Sequence, residues 1–159
     1  MEQALRHMLI VTSNSYRDNE SEIISEKALS DYVDTQWEDD SFVGNDPLLL
    51  WHAGDPIGEI VYADMRGPFL VEIARELPNK SVNIARDSDP PLMADVKEIW
   101  DALSVEECKG ASHEFMFRET DREDGVYDMI KKYETSVLPR KHAANIFTKA
   151  TILGVKNDE

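Results

Sequence analysis

Two apolar runs rich in β-branched residues, Ile57–Ala63 and Phe69–Glu76, are separated by little more than Met65-Arg66-Gly67-Pro68. That tetrapeptide supplies turn chemistry, so the pair predicts an antiparallel hairpin. Further strand-like runs lie on both sides. Met8–Ser13 (MLIVTS) reads as a first strand, Leu48–Trp51 is a short apolar run, and GASHEFMFRE, VYDMIKKYETSVL and NIFTKATILG read as three more strands. Helical spacing occurs twice. In SEIISEKALSDYV the residues Ile24, Ala28, Leu29, Tyr32 and Val33 fall near one face, with Ser21 or Ser25 able to cap it. In PPLMADVKEIWDAL the residues Leu92, Val96, Ile99, Trp100 and Leu103 recur at three- and four-residue steps behind a proline pair suited to a helix entrance. Six or seven strands with two helices, no repeat and no low-complexity tract predict a mainly β chain with flanking helices (α+β). A barrel or sandwich fits this better than alternating βαβ units.

At 159 residues and 42% hydrophobic content, one domain spanning 1–159 is expected, with its core over about 9–153 and a short acidic tail. The lone Cys108 cannot form an internal disulfide, and no clustered Cys/His spacing suggests a metal, so an intracellular site is expected. The N-terminal stretch lacks the pattern of a signal peptide, and no run approaches the roughly 18 apolar residues of a membrane span. Thirty-two acidic against 17 basic residues give a formal charge of −15. That balance argues against nucleic acid or an anionic membrane as partner and reads most simply as a solvated acidic surface. The one glycine-rich hint, GDPIG, lacks the spacing of a phosphate-binding loop.

Three distant segments each place one catalytic-type side chain in a strand-like setting: LLLWHAGDPIGEI around His52, KGASHEFMF around Ser112, and YETSVLPRKHAAN around Glu134. A histidine, a serine and a carboxylate are the set that converts a weak hydroxyl into a nucleophile. Strand parity puts Ser112, Glu114 and Met116 on one face and His113, Phe115 and Phe117 on the other, which makes His113 a poor partner for Ser112 despite its adjacency. His52 ends an apolar run before the turn sequence AGDP, where strand ends display functional side chains. Glu134 shares its predicted face with Ser136 and Leu138. Taken singly, each has a plainer reading: a hydrogen-bonded strand serine, a structural histidine, one surface charge among many. His142 competes with Glu134 for the third position, and Cys108 competes with Ser112 as nucleophile. The order His, Ser, Glu differs from those of chymotrypsin, subtilisin and the α/β-hydrolases, and no GxSxG elbow surrounds Ser112.

Together the three segments resemble the prohead, or capsid maturation, serine proteases of tailed phages, which are related to the herpesvirus maturation proteases. LLLWHAGDPIGEI matches a histidine after an apolar strand followed by a Pro-x-Gly element at Pro56 and Gly58; KGASHEF matches small-Ser-x-x-Phe at Ser112. YETSVLPRKHAAN supplies the Glu-x-Ser…Ala-Asn pattern at Glu134, Ser136, Ala144 and Asn145. The likeness spans roughly Leu9 to Ala150. The chain departs from the pattern at His113, where a small residue is usual, and at Ile146, which stands in place of a final proline.

The resemblance implies a herpesvirus-protease-like small β-barrel with a catalytic set of Ser112 as nucleophile, His52 as base and Glu134 as orienting group. It implies no metal or organic cofactor. Substrates would be scaffold protein, the N-terminal region of the capsid protein and the protease itself, cleaved inside an immature shell in the host cytoplasm. Neither nucleic acid nor membrane is implied as a partner, and homo-oligomerisation is left open. The herpesvirus branch uses a second histidine as third member, which keeps His142 in view. The alternatives are a non-catalytic capsid-assembly or scaffold-like module on the same fold, and a small esterase on a similar barrel.

Overall fold

A computed structural model describes residues 4–18, 22–38, 46–85, 87–106, 109–116, 122–145 and 147–155. In chain order the elements are β1 (Arg6–Asn14), β2 (Ile23–Ile24), α1 (Glu26–Glu38), β3 (Pro47–Leu50), β4 (Ala53–Arg66), β5 (Phe69–Glu76), β6 (Ser81–Asn83) and β7 (Met93–Asp95). They continue with α2 (Val96–Val105), β8 (Lys109–Met116), β9 (Arg122–Glu123), β10 (Val126–Tyr127), β11 (Lys131–Pro139), a 3-10 turn (Arg140–His142) and β12 (Lys149–Val155).

Among the described residues, seven strands form one sheet in the order β12-β1-β5-β4-β3-β11-β8. The sheet curls until its edges nearly meet. The main-chain N–H of Ala111 in β8 donates to Thr148 Oγ1, just before β12, at 3.1 Å, and His113 Nε2 of β8 lies 3.1 Å from Ser13 Oγ of β1. The chain is therefore a small, nearly closed β-barrel with two helices packed outside it. All neighbours within the sheet are antiparallel except β3 and β11, which run parallel with Ser136 beside Leu49.

Alternation along the strands sorts one face into layers. Met8, Ile10, Ile57, Ile60, Ala74, Ala111 and Val137 form the apolar layer, which α2 covers with Trp100. Trp100 is fully buried, and its Nε1–H donates to Ile57 O at 2.9 Å. Gly58 makes room for it: a Cβ there would lie 2.9 Å from Arg75 O and 3.2 Å from Trp100 Cζ2. Toward α1 the layer turns polar. Lys132 Nζ, fully buried, donates to Asp46 Oδ2 at 2.8 Å and to Glu72 Oε2 at 3.2 Å, while Thr12 and Thr135 hydroxyls donate to Glu72 Oε1. Burial, reinforced by Glu72 and Asp46, pushes the Tyr32 hydroxyl up from its usual range, so it stays protonated and donates to Asp46 at 2.7 Å. Every charge in this layer meets a counter-charge or a donor. Removing one member of such a buried set typically costs about 3–5 kcal/mol.

The hairpin expected across MRGP is present as β4 and β5, turning at Gly67-Pro68. Ser25 is the cap of α1, its Oγ accepting the Ala28 N–H at 3.1 Å. Other expectations need correction. The proline pair does not open α2, because residues 92–95 spend their backbone groups on a two-stranded ladder with β6, Ala94 facing Val82 and Ile84 N–H donating to Leu92 O. The helix starts only at Val96, where Asn79 Oδ1 accepts the Lys97 N–H at 3.0 Å. VYDMIKKYETSVL is two strands in two sheets, with β10 beside β2 and β9, and β11 in the barrel. In NIFTKATILG the strand waits until Lys149, because Asn145 folds an Asx turn whose Oδ1 accepts the Phe147 N–H at 3.0 Å. Ser21, Phe117, Arg118, Glu119, Ile146 and the acidic tail lie outside the described residues.

Candidate active site

AGDP is not the turn after His52; it opens β4. The chain reverses at Trp51 and His52 themselves, since Leu50 of β3 pairs with Ala53 of β4. Both loop residues have positive φ, 56° for Trp51 and 58° for His52. A two-residue hairpin turn with both φ values positive is the type I′ pattern, which favours Asn-Gly and disfavours bulky side chains. Such backbone is costly, by about 1–3 kcal/mol per residue, and persists only when its surroundings hold it. Here three contacts do so: Trp51 N–H donates to Val137 O at 3.2 Å, His52 N–H donates to Ser136 Oγ at 2.9 Å, and the Trp51 ring lies 5.0 Å from that of His142.

The parallel pairing of β3 with β11 sets Leu50 beside Val137, so the turn that follows folds His52 over Ser136 and Glu134. His52 Nδ1 meets Glu134 Oε1 at 2.5 Å, and Ser136 Oγ donates to Glu134 Oε2 at 2.7 Å. The Glu134 side chain is 4% exposed and that of His52 29%. A carboxylate on Nδ1 fixes the tautomer and leaves Nε2 as the nitrogen that can serve a nucleophile.

Ser112 sits on β8 directly opposite Ser136 of β11. Residues paired across an antiparallel ladder project to the same side, so Ser112 faces the side on which Ser136 and Glu134 engage His52. It is half-buried, whereas Ser136 is fully buried. Among the described residues Ser112 is tied to the pair by strand register, not by a hydrogen bond from its Oγ. Its strand is anchored just upstream: a Cβ on Gly110 would lie 2.8 Å from Arg140 Cα, and Thr148 Oγ1 both accepts from Ala111 N–H and donates to Asn145 O at 2.9 Å. The sequence carried no signal for Thr148 beyond its proximity to Asn145.

His113 projects to the opposite face, its ring 5.4 Å from that of Phe115. Its Nδ1 is sealed from solvent with no hydrogen-bond partner. Burial first, then the positive charges of Lys132 and His52, push its pKa down from 6.5 to about 3. The unfolded chain takes up a proton below pH 6.5 that folded His113 refuses until about pH 3, so stability falls with pH across that window. The contribution is at most about 1.4 kcal/mol per pH unit. In urea titrations from neutral pH downward, His113→Gln should therefore show a shallower acid limb than wild type; parallel limbs would contradict a buried neutral imidazole.

Of the predicted residues, the structure brings His52 and Glu134 into contact and places Ser112 on the adjoining strand. His142 is exposed and its ring packs tilted against that of Trp51, while the carboxylate at His52 Nδ1 belongs to Glu134. Cys108 lies outside the described residues. No protein-family model, curated protein or solved structure matches the chain.

Proposed function

We propose that the chain is a serine endopeptidase with Ser112 as nucleophile, His52 as general base and acid, and Glu134 as orienting group. The observation that carries this reading is the His52–Glu134 contact at 2.5 Å, formed by segments 82 residues apart and flanked by a half-buried serine on the next strand. In the reaction, Ser112 Oγ attacks the scissile carbonyl carbon as its proton passes to His52 Nε2. The imidazolium, held by Glu134, returns that proton to the leaving amine. Water then repeats the sequence on the acyl-enzyme, with His52 again as base. Backbone amides near β8 are the expected donors to the oxyanion.

The likeness of the three segments to tailed-phage prohead proteases extends the proposal to substrates, namely scaffold and capsid proteins cleaved within an immature shell. A fluorophosphonate probe tests the chemistry. Labelling confined to the peptide carrying Ser112, lost in Ser112→Ala, is expected. Absence of labelling in folded wild-type protein would favour a non-catalytic assembly module, and turnover of esters without peptides would point to an esterase.

A further inference from the structure

We infer that Ser136 is the positioning residue of this site, one hydroxyl that holds both the main chain of His52 and the carboxylate of Glu134. The inference rests on the catalytic reading above but concerns a residue with no place in the three-residue set. Ser136 is fully buried, and its Oγ is occupied in both roles open to a hydroxyl, donating to Glu134 Oε2 at 2.7 Å and accepting from His52 N–H at 2.9 Å. Full burial with both bonds in place argues for a positioning role rather than that of nucleophile.

The two bonds act on different degrees of freedom. The bond to Glu134 pins the carboxylate so that its other oxygen, Oε1, faces His52 Nδ1. The bond from His52 N–H pins the backbone of a turn whose residues, Trp and His, are poor choices for positive φ. Without the hydroxyl, a buried carboxylate oxygen loses its donor, and the turn loses the contact that sets the position of the His52 main chain. Both losses move the imidazole and neither touches a substrate. The effect therefore falls on kcat and leaves KM nearly unchanged.

The experiment compares wild type, Ser136→Ala and Ser136→Cys, each first shown folded by thermal melting. Cysteine fills the space of serine but is a weak donor and acceptor, so it separates hydrogen bonding from packing. Expected is a fall in kcat of about 10²-fold in both variants with KM within about twofold, the scale of a small misplacement of a catalytic group. A second readout needs no activity: the downfield proton resonance of His52 Nδ1–H bound to Glu134 should be present in wild type and lost or displaced in both variants. If Ser136→Cys keeps wild-type kcat and the wild-type resonance, Ser136 only fills space and the inference falls. If wild type shows no hydrolase activity, the peptidase reading falls, while the resonance alone still decides whether Ser136 holds His52.

Discussion

Under the proposed mechanism, Ser112→Ala and His52→Ala are each expected to lower peptide cleavage by about 10⁴–10⁶-fold, with the double substitution hardly worse than either, because a nucleophile and its base act as one unit. The losses fall on chemistry rather than folding. Ser112 lies half-buried on the side of the sheet that carries His52 and Glu134, and the His52 ring stands at the tip of a hairpin, outside both apolar clusters. Circular dichroism should find both variants folded, and single-turnover cleavage of a peptide supplies the rates. Losses that multiply would mean that the two side chains act independently. Near-wild-type cleavage by Ser112→Ala with loss in Cys108→Ala would transfer the nucleophile to Cys108.

If Glu134 orients His52 as proposed, Glu134→Gln is expected to lower turnover by up to about 10⁴-fold, because an amide that presents its donor to Nδ1 favours the wrong imidazole tautomer. His142→Gln is expected to have a much smaller effect. The geometry separates the two: Glu134 Oε1 lies 2.5 Å from His52 Nδ1, whereas the His142 ring packs tilted against that of Trp51 at 5.0 Å. Peptide cleavage by the purified single variants from about pH 5 to about 9 distinguishes a lost orienting group from a shifted pH profile. A crippled His142→Gln beside a silent Glu134→Gln would assign the third position to the second histidine.

Local pattern made part of this molecule legible in the chain. The hairpin of β4 and β5, a mainly β chain with two helices, a serine cap for α1 at Ser21 or Ser25, and the opposite faces of Ser112 and His113 follow from period-two alternation, helical spacing and turn chemistry, whereas the choice of a small barrel over a sandwich came only from the family resemblance. The same logic erred wherever a backbone group found a distant partner. Residues 93–95 read as helix yet pair with β6, and VYDMIKKYETSVL reads as one strand yet serves two sheets, because a ladder partner far along the chain outweighs local propensity.

The candidate site divides in the same way. His52, Ser112 and Glu134 stood out by residue type and by their likeness to a known pattern, but nothing in the order of residues puts His52 Nδ1 against Glu134. That contact depends on the parallel pairing of β3 with β11, a long-range register that only the closed sheet can select. The turn at Trp51-His52 was illegible for a related reason: neither residue prefers positive φ, so the sequence signal pointed to AGDP instead. It is the Val137 carbonyl, the Ser136 hydroxyl and the His142 ring, brought together by tertiary structure, that offset the local cost and hold the histidine over its carboxylate.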